Sequence, residues 1–213
     1  MTTESRMLNV AAATAVVSAA IIGQAAPLNE FIASIRSPDD KVRGPAWQSA
    51  EKMGSEAVKP LGEVMATSED PEVTRAARRG LWRIVRHSGR PNAEEERRAV
   101  QNALMALLSS SKPAVKREVL WMLSEIGDAQ AVAPMAALLK DSELREDARQ
   151  SLLRIPGEAS LAALKKAFAS APEEFKSALA YSLRLRGESV AGYPSQRLIP
   201  TRQTTVQAKV TSG

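Results

Sequence analysis

The sequence predicts an all-α chain in which about five helical hairpins stack side by side into a solenoid. Ala and Leu are plentiful, while aromatic residues make up only 4% of the 213 residues, a balance that favours packed helices over sheets. A pattern of apolar residues at offsets 0, 4, 8 and 11 recurs five times, and those offsets put each set on one helical face. Glycine or proline closes four of the five copies, as expected where a helix must stop and the chain turn back.

The first apolar column is Val42, Val73, Val115, Leu144 and Phe175. Four residues on lie Ala46, Ala77, Val119, Ala148 and Leu179, and eight on lie Ala50, Leu81, Leu123, Leu152 and Leu183. The fourth column reads Met53, Ile84, Ile126 and Ile155, then breaks with Arg186. The closing position holds Gly54, Val85, Gly127, Pro156 and Gly187. A second helix follows each of the first four copies, with Leu61 and Val64, Leu104 and Leu107, Met135 and Leu138, and Leu161 and Leu164 on its apolar face. Two of these second helices contain Pro60 and Pro134, read as prolines near a helix start, where the missing N–H costs nothing. Leu28, Phe31 and Ile32 have the same spacing and predict an unpaired second-type helix ahead of the first hairpin. Successive copies are 31, 42, 29 and 31 residues apart, so the second carries an insertion of about eleven residues around His87 to Glu96. Hairpins at this period cannot bury their apolar faces alone and stack into one continuous core.

The stretches Ser37-Pro38-Asp39-Asp40-Lys41-Val42-Arg43, Asp70-Pro71-Glu72-Val73, Lys112-Pro113-Ala114-Val115 and Leu123-Ser124-Glu125-Ile126-Gly127-Asp128 resemble the HEAT repeat family, especially its short bacterial, phycobilisome-lyase-like form. The resemblance covers about three quarters of the chain. It implies an armadillo-like, right-handed superhelical stack and a role as an interaction scaffold. Pro156-Gly157 and the insertion depart from the family pattern, and no lyase-specific residue can be carried over.

Outside the repeats the chain changes character. Residues 1–26 carry Arg6 ahead of an uncharged run from Met7 to Ile22, then the small residues Gly23, Ala25 and Ala26. That run is shorter than the roughly 20 residues of a spanning helix and suits a secretory signal peptide cut near Ala25. The expected divisions are therefore 1–26 signal peptide, 27–187 solenoid and 188–213 basic, disordered tail. Export to the periplasm or medium follows, with no membrane span after processing; a leader that is not a signal would leave the chain cytoplasmic. Within the tail, Tyr193-Pro194 and Leu198-Ile199-Pro200 are candidates to dock on the last helix.

Composition excludes several chemistries. There is no cysteine and a single histidine, His87, which removes disulfides, thiolate metal sites and cysteine nucleophiles and leaves no basis for a histidine metal site. Glycine-rich phosphate loops, GxSxG and HExxH are absent, so no enzyme, cofactor or metal is expected. The net charge of +5 owes +3 to Arg197, Arg202 and Lys209 in the tail.

The candidate sites are therefore surfaces. Arg75, Arg79, Arg83 and Arg86 fall at i, i+4, i+8 and i+11 with Trp82 beside them, a positive stripe able to hold an acidic peptide or phosphates. Glu94, Glu95 and Glu96 follow and offer internal neutralisation. A column off the core stripe holds Gln48, Arg79, Trp121, Gln150 and Tyr181; Trp121 and Tyr181 either stand displayed as binding anchors or pack on a neighbouring repeat. The expected partner is another protein bound by a monomer. Nucleic acid on the arginine stripe is the alternative, and a lyase-like accessory role the third.

Overall fold

Aspartates and prolines open many of the helices, and their positions set the hairpin lattice. A computed structural model describes residues 27–194. Residues 27–35 are helical (α1), followed by α2 (Asp40–Gln48), a 3-10 segment (Ala50–Ala57), α3 (Val58–Thr67), α4 (Pro71–Ser88) and α5 (Glu94–Leu107). Then come α6 (Pro113–Ile126), α7 (Ala129–Ala137), a short 3-10 turn (Leu138–Lys140), α8 (Arg145–Arg154), α9 (Glu158–Ser170) and α10 (Glu173–Leu185). Asp39, Asp70 and Asp128 each accept a hydrogen bond from the backbone N–H two residues on, satisfying donors that a helix start leaves free. Pro71 and Pro113 occupy the first helical positions of α4 and α6.

The helices alternate between two layers. Helices α2, α4, α6, α8 and α10 pack in succession, as do α3, α5, α7 and α9, and consecutive helices pack between the layers. The core runs through the stack as one cluster, from Phe31 and Ile35 through Leu81, Leu104, Leu123 and Leu152 to Leu179 and Leu183. Within the α3–α9 layer, buried Gln101 on α5 donates to Oδ1 of Asp128, the residue that caps α7, and accepts from the Asp128 N–H, both at 2.9 Å.

Three local expectations are corrected. Val42 is 44% exposed, whereas the other members of its column are buried. Among the described residues α4 is the helix of its own layer that packs on α2, and Val42 lies on the side away from the core; Arg43 turns inward instead and donates to the Ser37 carbonyl at 2.6 Å. The second copy does not stop at Val85: α4 runs 18 residues to Ser88 and α5 runs 14, against 10 for α3 and 9 for α7. The insertion thus extends α4 past Val85 and adds the turn at residues 89–93 before α5. Pro134 lies inside α7, not at its start. Gly54 ends the first copy as expected, at φ +57°, a region glycine occupies without steric cost.

The break in the fourth column has a clear cause. Arg186 reaches from beyond α10 into the turn after α8, donating to the carbonyls of Ile155 (2.9 Å) and Gly157 (2.8 Å) and to Ser160 Oγ (2.9 Å). That turn includes Gly157 at φ +95°, so Pro156-Gly157 and Arg186 form one joint between the last repeats. Arg186→Met is expected to cost about 1–3 kcal/mol in urea unfolding, because the two carbonyls lose charged donors. An unchanged midpoint would mean that water replaces them.

Beyond Gly187 the chain crosses α9 and α10. Glu188 pairs with Lys165 at 2.8 Å, Val190 packs on the core, and the Tyr193 ring meets Phe168 edge-on at 5.3 Å. Tyr193 donates its hydroxyl to Glu173 at 2.6 Å.

Candidate interaction surface

The exposed side of the α2–α10 layer is tied together by acids that each serve the preceding helix. Glu118 on α6 accepts from Arg78 (3.1 Å) and from Trp82 Nε1 (3.0 Å) of α4. Asp147 on α8 accepts from Arg117 (2.9 Å) and from Trp121 Nε1 (3.1 Å) of α6. In both cases arginine and tryptophan stand four residues apart, one helical turn, so both reach one carboxylate. Arg145 of α8 continues the series, pairing with Glu174 of α10 at 3.3 Å while lying 4.8 Å from the Phe175 ring.

Trp121 therefore packs on the neighbouring repeat and is not displayed. It is half-buried, and its indole N–H is spent on Asp147. Trp121→Phe is expected to cost about 1–2 kcal/mol through loss of that charged hydrogen bond, seen as a lower melting temperature; a variant as stable as the parent would argue that the bond contributes nothing. Tyr181 does stand 50% exposed on α10, next to Leu185 at 57%. The structure does not join Trp121 and Tyr181 into one surface, because α8 lies between their helices.

The arginine stripe is largely committed. Arg75 pairs with Glu72, and Arg83 grips Glu51 with two bonds of 3.1 and 3.2 Å. Among the described residues none of the three glutamates expected to neutralise the stripe pairs with it; Glu96 turns instead to Arg90 at 2.7 Å and lies 3.8 Å from His87, beyond the stripe. Arg79 and Arg86 form no ion pair among the described residues. Each instead lies over a tryptophan, Arg79 5.1 Å from the Trp47 ring centre and Arg86 5.2 Å from that of Trp82. Stacking of this kind fixes the guanidinium plane and leaves its N–H edges free.

These residues line one groove of about 520 Å³, walled by Trp47, Arg78, Arg79, Trp82, Arg83, Arg86 and Glu118. Arg79 and Arg86 are seven residues apart, about 10 Å along the helix axis. Trp47 and the acids Glu51 and Glu118 escape sequence reasoning, since their roles depend on neighbouring repeats. The one available signal was the spacing of Arg78 with Trp82 and of Arg117 with Trp121, the same pair twice.

The paired acids are shifted as their partners require. Hydrogen bonds from Arg83 hold Glu51 below the ordinary glutamate value of 4.5. The Arg149 guanidinium does the same to Glu146, against an opposing push from burial. Tyr193 and then Lys176 lower Glu173, and Glu173 in turn raises Tyr193. Because these carboxyls titrate lower folded than unfolded, their stabilisation is present above pH 4.5 and is lost as the pH falls below it. Urea midpoints measured from neutral pH downward are expected to stay level and then drop in that range; a midpoint that rises on acidification would contradict the assignment.

Among the described residues, no three His, Asp or Glu side chains gather as a metal site, and no helix is long and apolar enough to cross a membrane. A two-layered, one-dimensional stack of helical hairpins with tied outer edges defines an α-solenoid, a class built to present long faces to partners. Residues 100–184 match the family model described as HEAT repeats; the helices before this segment continue the same two layers. No curated protein matches the sequence. Among solved structures, an engineered protein from the Northeast Structural Genomics Consortium aligns at 22% identity over 75% of this chain and 78% of its own, with a TM-score of 0.39. A designed armadillo repeat protein in complex with a (KR)4 peptide aligns at 20% identity over 77% and 83%, with a TM-score of 0.42.

Proposed function

We propose that this chain is a non-catalytic scaffold that binds an acidic segment of another protein across the groove between α2, α4 and α6. The observation that carries the reading is the pair of arginines, Arg79 and Arg86, held on tryptophan faces without acidic partners among the described residues. Charged hydrogen bonds to carboxylates use such preset guanidinium edges well, and Trp and Arg are the residue types that dominate binding energy at interfaces. Nucleic acid is the weaker fit. Duplex binders commonly neutralise about six to ten phosphates, whereas Arg75, Arg78 and Arg83 are already engaged.

A titration of the protein with a twelve-residue Asp/Glu peptide tests the reading, since Trp47 and Trp82 report binding by their own fluorescence. Saturable quenching by the peptide supports it. Quenching only by an oligonucleotide, with a salt slope well above two, would move the assignment to nucleic acid. With this reading we also propose that residues 1–26 direct export and are cut near Ala25, leaving 27–187 as the mature solenoid and 188–213 as its tail. N-terminal sequencing of the recovered protein tests it: a retained Met1 would count against export.

A further inference from the structure

A second groove lies in the other layer, between the C-terminal halves of α7 and α9 and the first turns of α10. Its volume is about 560 Å³. The walls are made by short side chains, Ala136 of α7 and Ala167 of α9 among them, and Phe175 and Leu179 of α10 close one side. Both of those are buried in the body of the solenoid. Lys140, Arg145 and Lys166 reach the rim, and no acidic residue lines the groove. Arg145 is engaged by Glu174 and Phe175, while Lys140 and Lys166 form no ion pair among the described residues.

Short walls, an apolar base and a one-signed rim specify an occupant by shape and charge. We infer that this groove takes an amphipathic helix of a partner protein, its apolar edge inserted toward Phe175 and Leu179 and its flanking acids beside Lys140 and Lys166. Helix-in-groove recognition works through apolar anchors at i, i+3 or i+4, and i+7, with charge on either side setting orientation and partner choice. The chain's own tail is a poor occupant, since residues 195–213 carry Arg197, Arg202 and Lys209 and no acid. This groove and the Trp47–Arg86 groove lie on different helices and take different ligands, so either can fail alone.

The probe is a fluorescein-labelled 18-residue helix of Leu, Ala and Glu with leucines at that spacing, followed by anisotropy. Saturable binding is expected, at least about tenfold weaker for Ala167→Trp, which fills the groove, and for Lys140→Glu with Lys166→Glu. The charge-reversed pair should in turn gain affinity for the same peptide with Lys in place of Glu. Arg79→Glu with Arg86→Glu should bind the probe as the parent does. Thermal melts and circular dichroism of each variant separate lost binding from lost folding, and a cross-check by NMR should place the peptide on Ala133–Lys140 and Ala163–Ala171. Binding indifferent to both the filled and the reversed variants, or equal for the Glu and Lys peptides, would overturn the inference. So would displacement of the peptide probe by residues 195–213 supplied as a synthetic peptide.

Discussion

Leu123→Ala is expected to lower the free energy of unfolding by about 2–5 kcal/mol, read as a shift in urea midpoint at unchanged slope. Leu123 has no exposed surface, and its helix α6 packs on α4, α5 and α8 together. Truncation therefore removes contacts to both layers and leaves a cavity at the middle of the array, where no end can relax to fill it. Against a typical total of about 5–15 kcal/mol, that is a large share. Stacked repeats also share interfaces, so weakening a central one reduces the coupling between the two halves. A change in slope would reveal that the halves have begun to unfold separately. A loss below about 1 kcal/mol would mean that the neighbouring leucines repack.

Arg79→Glu combined with Arg86→Glu is expected to reduce binding of the acidic peptide about 100-fold or more while leaving the melting temperature nearly unchanged. Each arginine offers charged hydrogen bonds of about 1.5–3 kcal/mol, and reversal turns that attraction into repulsion. Neither side chain forms an ion pair among the described residues, and both are exposed, so folding does not depend on them. Arg83→Gln makes the contrast. It frees Glu51, a partly buried acid, and is expected to weaken the fold slightly and the binding only modestly. Equal affinity for parent and double variant would remove the groove from consideration.

The repeat lattice was legible in the sequence because its cause is local. Offsets of 0, 4, 8 and 11 fix one helical face, and Asp39, Asp70 and Asp128 mark helix starts within a few residues of the groups they bond. What failed was whatever depended on a neighbour. Val42 obeys the spacing of its column yet lies outside, because among the described residues no helix covers that side of α2. Trp121 and Arg79 share a column, but Asp147 waits for the one and Trp47 for the other. Arg186 broke the pattern for a reason placed more than two dozen residues earlier, in the carbonyls of Ile155 and Gly157. The candidate stripe was found as a line of charge; which charges are already spent could be learned only from the acids across the seam.

The shared carboxylates along the α2–α10 layer also give the solenoid a mechanical asymmetry. Glu118 and Asp147 each hold two donors from the preceding helix, so opening that side would stretch several charged bonds in series. Bending the opposite way opens the other layer, whose shared polar link is the Gln101–Asp128 exchange. Under load the chain should behave as a spring stiffer in one direction than in the other, with its give on the face that carries α7 and α9.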